Sequence, residues 1–284
     1  MAELKPLTFP PELYKRLVPA QFLAQHLEAS PPVRPSGRQL TDFRDVSITS
    51  SSLSNTAGSA VVRHGETVMV CGIRAEIAEP SVTEPSIGYL VPNIEIGPLC
   101  SSKYKAGPPS ELQQSIAHQL STFLKDCGIV DLGDLCIESG KAVWCLYIDI
   151  ICLSSSAAHF SASALAMVSA LLNTSLPEAV WDLELNDVRC REVFVPLKVN
   201  SVPFVIEFGV FKAKILADPD GDESDLCAES LTVVMTASGD IYGVRKTGGP
   251  LLQGSAMQEV LSVTEKRVQQ LESIIKNAGR NHRL

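Results

Sequence analysis

Gly58-Ser-Ala-Val-Val-Arg-His-Gly-Glu-Thr-Val-Met-Val-Cys-Gly72 sets the architecture of the chain. Apolar residues recur at every second position, first through Ala60 and Val62 and then through Thr67 to Ile73. Arg63-His64-Gly65-Glu66 separates the two runs with turn residues, so the stretch reads as a hairpin with one buried face. Moving outward, Val46 and Ile48 continue the period of two on the N-terminal side, and Tyr89-Leu90-Val91 and Ile94-Glu95-Ile96 follow on the other. Together they predict an antiparallel meander.

Farther out the period lengthens. Leu112, Ile116, Leu120 and Phe123 share one face of a helix over Ser110 to Asp126, with Ser110 as its N-cap. Lys141 to Leu153 is nearly continuous apolar sequence, the pattern of a central strand, broken only by Asp149, which needs a partner if buried. Ile150 to Pro177 carries no formal charge, yet its serines, His159 and Asn173 make it too polar for a membrane span. Ser161 to Leu172 within it reads as a buried helix of small residues that lets a sheet approach closely.

A second block of strands is expected at 194–197, 204–206, 215–217, 231–235 and 241–244. A closing helix follows over about Met257 to Lys276, with Thr264 the polar member of its apolar face. At the other end, Leu13, Leu17, Leu23 and Leu27 give helical spacing over 10–29 with a kink at Pro19, and 30–45 is a Pro/Gly/Ser-rich connector. The fold class is therefore α/β (α+β): an N-terminal helical extension over 1–30, one βα lobe over 31–180 and a second over 181–284 with the terminal helix.

Composition bounds the function. The 284 residues are 45% hydrophobic and 20% charged, which excludes wholesale disorder. Twenty-four Lys and Arg against 32 Asp and Glu leave a net charge of −8, the wrong sign for a solitary nucleic-acid binder. The eight cysteines form no C-x-x-C pair and mostly sit in apolar runs, so reduced, buried thiols in an intracellular compartment are expected. The opening MAELKPLTFPPELYKRL lacks the layout of a secretory leader.

Local chemistry is sparse. Asp218, Asp220, Asp222 and Glu229 mimic the acid spacing of a calcium loop, but Glu223 stands where that loop needs glycine, and a solvated acidic loop is the better reading. Lys103-Tyr104-Lys105 is a triplet that can hold phosphate and stack a base, although spacing alone favours an exposed loop with two solvated lysines, because the triplet is short. Arg34, Arg38 and Arg44 form a second basic cluster with the same ambiguity. Ser154-Ser155-Ser156 precedes His159 without a glycine-rich elbow, and no glycine-rich phosphate loop is present.

Several segments in order resemble the RNase PH family. Arg34-Pro-Ser-Gly-Arg38 with Phe43-Arg44 is similar to its opening motif, with Ser36 where aspartate is usual, and Gly58 to Gly72 is similar to its next block. Pro92-Asn93, Cys100 to Pro109, Leu135 to Trp144 with Asp149, and Ala217-Asp-Pro219 resemble a narrower group, the ring subunits of the eukaryotic RNA exosome. The resemblance covers about residues 30–270. It implies two βα lobes and assembly of six such chains into a ring with a central pore. In active members a Gly-Gly-Thr-Arg segment at a helix start binds the attacking phosphate, and two aspartates serve the catalytic centre. Those positions fall here at Ala157-Ala158-His159-Phe160 and near Ser224 and Ser230. Phenylalanine offers an anion no fork of donors, and serine does not replace a carboxylate.

The resemblance thus implies a non-catalytic subunit with no metal and no cofactor. Its implied partners are other RNase PH-like ring subunits, cap subunits with RNA-binding folds, an associated hydrolytic nuclease and RNA in the channel. Lys103, Lys105, Arg34 and Arg38 are the candidate RNA contacts, and nucleus, nucleolus and cytoplasm the expected compartments. Two readings stand beside it: an active phosphate-dependent 3′-to-5′ exoribonuclease, and a free-standing small-molecule enzyme of another α/β family.

Overall fold

The computed structural model describes residues 10–182, 184, 187–250 and 254–280; residues 1–9 of the N-terminal extension lie outside them. The chain opens with helices α1 (Pro11–Leu17) and α2 (Pro19–Glu28), split at Val18 ahead of Pro19. Strands β1 (Val46–Ser50), β2 (Gly58–His64), β3 (Thr67–Ala78) and β4 (Tyr89–Ile96) follow. Then come α3 (Glu111–Cys127), the short β5 (Cys136–Glu138), β6 (Ala142–Ser154) and α4 (His159–Leu172). The hairpin β7 (Ser175–Asp182) and β8 (Asp187–Pro196) leads to β9 (Pro203–Phe211), β10 (Lys214–Ala217), α5 (Gly221–Leu226), β11 (Glu229–Thr236), β12 (Ile241–Thr247) and α6 (Gly254–Arg280). The boundary expected at 180–181 falls inside β7.

The first sheet has the order β1-β2-β3-β6-β4, with β5 against β6. The hairpin read from 58–72 is present, Val61 facing Val70 and His64 facing Thr67. The meander, however, ends at β3. Strand β3 pairs with β6, and β4 lies at the outer edge, parallel to β6. The cause is α3: a helical crossover after β4 returns the chain in the same direction, and the returning strand inserts between β3 and β4. A capping box starts α3, Ser110 Oγ accepting from the Gln113 N–H and the Gln113 side chain from the Ser110 N–H; Gly128 closes it in the left-handed region. Asp149 does find its partners, on the exposed side of the sheet, where Arg74 and Asn93 donate to its carboxylate.

The second sheet, β10-β9-β11-β12, is antiparallel throughout. Between the sheets lies α4, which packs on β2, β3 and β9. Its Ala and Ser residues are buried on every side from Ser161 to Leu171, which explains its lack of amphipathic pattern. The close approach is literal at Gly58: a Cβ there would lie 2.7 Å from Thr174 Cα and 2.8 Å from the Ala170 carbonyl oxygen. One buried cluster runs from β2 and β3 through α4 into β9, β11 and α6. A smaller one seats α2 (Leu23, Ala24, Leu27) against Phe211 and Leu216, so the N-terminal extension packs on the second lobe. Thr264 is fully buried on α6 and donates to the Val260 carbonyl. Five cysteines are buried and Cys190 is exposed. Among the described residues no helix is long and apolar enough to cross a membrane.

Candidate functional site

The connector over 30–45 is held in place by the acidic segment that follows β10. Gly37, at φ +83°, lets the chain turn tightly enough for the Arg34 N–H to donate to the Arg38 carbonyl at 2.9 Å. This aims the Arg34 guanidinium inward. It is 1% exposed, grips both Glu223 carboxylate oxygens, and donates to the Ala217 and Asp218 carbonyls at 2.6 and 3.0 Å. Arg44 forks onto Asp218, with Nε and its backbone N–H each 2.9 Å from Oδ2, and His64 Nε2 lies 3.1 Å from the same oxygen. Arg267 of α6 closes the cluster, donating to the Arg44 carbonyl at 2.7 Å and stacking over Phe43.

This overturns two expectations. The segment 218–229 is not a solvated acidic loop: Asp220 caps α5 reciprocally with Glu223, and Asp218 and Glu223 are only 2% and 3% exposed. Nor is Arg34 free to touch RNA, since every face of its guanidinium is committed inside the protein. Burial pushes the pKa of Asp218 and Glu223 upward, but their arginine hydrogen bonds more than reverse it, and both carboxyls are held below the usual range.

Glu207 on β9 behaves oppositely. Burial raises its pKa to about 7 against the pull of a 3.0 Å hydrogen bond from Ser161, and the Asp218 charge adds to the rise. Folded, it keeps its proton to about pH 7; unfolded, it releases it near 4.5. The folded state then binds more protons between those values, so stability falls as pH rises through that window, by roughly 3 kcal/mol, and levels off above it. Glu207→Gln is expected to abolish this fall and to be the more stable protein at pH 8, as read by urea unfolding across pH 4 to 8.

Outside the cluster an open cleft of about 1010 Å³ has walls that include Arg38, Arg44, Arg63, Lys103, Ser155 and Asp220. Arg38 reaches it while donating to the Asp218 carbonyl at 3.0 Å. Lys103 stands exposed on the loop between β4 and α3, 3.3 Å from Asp225, with Lys105 exposed on the same loop. Tyr104 turns inward, its hydroxyl 3.3 Å from His159 Nε2, which also meets Ser155 Oγ at 2.5 Å. Burial and the Arg44 charge lower the His159 pKa. Phe160 does not face the cleft; it packs edge-on against Phe123 at 6.2 Å. Ser224 is exposed on α5 and Ser230 at the start of β11, and neither forms a wall of the cleft.

Asp218, Glu223 and Glu207 escape a sequence reading because their partners lie 174 to 189 positions away for the first two and at 161 for the third. The only local hint is that three arginines precede β1 with two aspartates, Asp42 and Asp45, among them.

Comparison with known proteins closes the question of kinship. Residues 42–177 match domain 1 of the 3′ exoribonuclease (RNase PH) family, and residues 201–267 match domain 2. The chain is 39% identical to the exosome complex component rrp43 of Schizosaccharomyces pombe, over 93% of this chain and 97% of that protein. It is 32% identical to the exosome complex component Rrp42 of Methanothermobacter thermautotrophicus, over 86% of this chain and 90% of that one. Among solved structures, a chain of the Archaeoglobus fulgidus exosome with RNA bound to the active site superposes with a TM-score of 0.78 at 28% identity, covering 90% of this chain and 97% of that one. An archaeal exosome core chain gives 0.77 at 26%, covering 94% of this chain and the whole of that one. With both of its domains matched in order, the chain belongs to the RNase PH family of 3′ exoribonucleases.

Proposed function

We propose that the chain is a non-catalytic structural subunit of the RNA exosome core ring, which scaffolds neighbouring RNase PH-like chains and helps thread RNA towards an associated hydrolytic nuclease. The observation that carries this reading is at the start of α4. Where the family resemblance places the phosphate-binding arginine, Phe160 is spent on packing against Phe123. Three of the nearby arginines are already engaged by carboxylates, Arg34 by Glu223, Arg44 by Asp218 and Arg38 by both. Ser224 and Ser230 bring no carboxylate. Similarity to exosome components over most of the chain supports the ring assignment. In this reading the chain also helps carry cap subunits with RNA-binding folds, and works in nucleus, nucleolus and cytoplasm.

The test is incubation of the pure chain, alone and in its complex, with single-stranded RNA and inorganic phosphate. No nucleoside diphosphate should be released by the chain itself. Phosphate-dependent release that vanishes on changing His159, Ser224 or Ser230 would establish the active exoribonuclease instead.

Lys103 and Lys105 are the proposed contacts to the RNA backbone, with Arg38 at the cleft wall. Lys103→Glu with Lys105→Glu should lower RNA protection by the assembled ring severalfold and flatten its salt dependence, as expected when phosphate contacts are lost. Unchanged protection at low salt removes these lysines from the path.

A further inference from the structure

Among the described helices α1 alone buries no residue, and its Leu13 and Leu17 lie open to solvent. Seven residues are too few to hold a helix in water by themselves, so α1 depends on its contacts. Tyr14 meets the neighbouring α2, its ring edge-on to Phe22 at 6.1 Å and its hydroxyl 3.3 Å from the Gln25 side-chain nitrogen. The tie to α5 is Lys15, whose Nζ lies 2.6 Å from Asp222 Oδ2. Both side chains are solvated, at 45% and 65% exposure, so the pair is one that salt screens and a competing anion can replace. The two elements it joins are fixed by contrast: Leu23, Ala24 and Leu27 seat α2 on Phe211 and Leu216, and Arg34 holds α5 through Glu223. The bridge stands between two cavities. On one side Lys15 and Asp222 wall a groove of about 670 Å³ with Phe22, Leu23 and Leu226. On the other they wall the cleft of about 1010 Å³, beside Arg38, Arg63 and Lys103. Lys15 is thus a cation already at the cleft, neutralised by a carboxylate of the same wall.

We infer that α1 is an arm that carries Lys15 from Asp222 to a backbone phosphate of RNA lying in the cleft. It bends at Val18, whose φ of −138° and ψ of 64° interrupt the helix between α1 and α2. A run of phosphates entering the cleft repels Asp222 and attracts Lys15, so both charges favour the exchange of partners. Until then Asp222 masks the lysine. The inference rests on the RNA-threading reading above and adds to it a contact that lies outside the family-matched residues 42–177 and 201–267, together with the means of its release.

The test uses the full chain in its assembled ring, with oligouridylate as the probe, titrated at several salt concentrations. Asp222→Asn should tighten binding about threefold, and Lys15→Gln should weaken it about threefold and reduce the salt slope by about one phosphate contact. With Lys15→Gln already present, Asp222→Asn should add almost nothing. Amide hydrogen exchange over 11–18 should speed up severalfold in Asp222→Asn, and in the wild type when oligouridylate is added, while 19–28 stays protected. Both positions are exposed, and matching urea midpoints for variants and wild type show that folding is not the cause. A gain from Asp222→Asn that persists beside Lys15→Gln overturns the inference, because the carboxylate then acts on RNA directly. So does exchange over 11–18 that neither Asp222→Asn nor bound oligouridylate changes, or that ring assembly alone already suppresses because a neighbour covers α1. A wild-type ring that binds no oligouridylate overturns the threading reading and the phosphate contact with it, whereas unchanged exchange in a ring that does bind overturns the arm alone.

Discussion

Replacing Arg34 with alanine is expected to destabilise the fold by about 3–5 kcal/mol, the range for removing one partner of a buried ion pair. The loss exceeds that of a surface bridge because three things fail at once. Glu223 stays buried, 3% exposed, with only Arg38 at 3.7 Å to balance its charge. The Ala217 carbonyl loses a 2.6 Å donor, and the Asp218 carbonyl is left with Arg38 alone. The turn over 34–38 no longer anchors the first lobe to α5. Lysine should rescue little, because a point charge cannot serve two carboxylate oxygens and two carbonyls together. Removing both charges, as in Arg34→Met with Glu223→Leu, should cost less than Arg34→Ala alone. Urea unfolding of the three variants measures this, and a loss below about 1 kcal/mol for Arg34→Ala would mean that the cluster is solvated in solution.

The second large effect is expected at Gly58. Valine there should cost about 3 kcal/mol, the upper end of overpacking, because its first side-chain carbon meets main chain of α4's C-terminal end. Thr174 Cα and the Ala170 oxygen, at 2.7 and 2.8 Å, move only if helix and sheet separate. Gly72 supplies the control on the same strand pair, facing Ser59. A Cβ there meets only the tips of Leu53 and Thr56 at 3.3 Å, so Gly72→Ala should cost under about 1 kcal/mol. Thermal melts of the two variants should separate clearly; equal losses would show that strand propensity, not helix approach, governs both sites.

Much of the fold was legible because its signals are local. The alternation in 58–72, the helical face of 112–123 and the small residues of 161–172 each impose one element. The pairing of β6 with β3 was not legible, since Val70 and Ile151 meet across 81 positions and either strand order satisfies the same hydrophobic pattern. Strand β7 was missed because Ser175-Leu-Pro-Glu-Ala shows neither clean period, and it gains strand geometry only through β8. The site was least legible. Acids at 218–223 look solvated in a sequence dense with charge; they are buried because arginines from the far end of the chain come to meet them.

That clasp between 34–44 and 218–223 also dictates an order of events during synthesis. The arginines emerge early, and their carboxylates follow about 180 positions later, a gap of roughly 10–40 s at ordinary elongation rates. In that interval the arginines lack the carboxylates they grip in the finished fold, and Arg267, which donates to Arg44, arrives later still. The N-terminal segment must wait for the second lobe to take its place. The clasp therefore closes only when the chain is nearly complete, and the arginines leave the surface last.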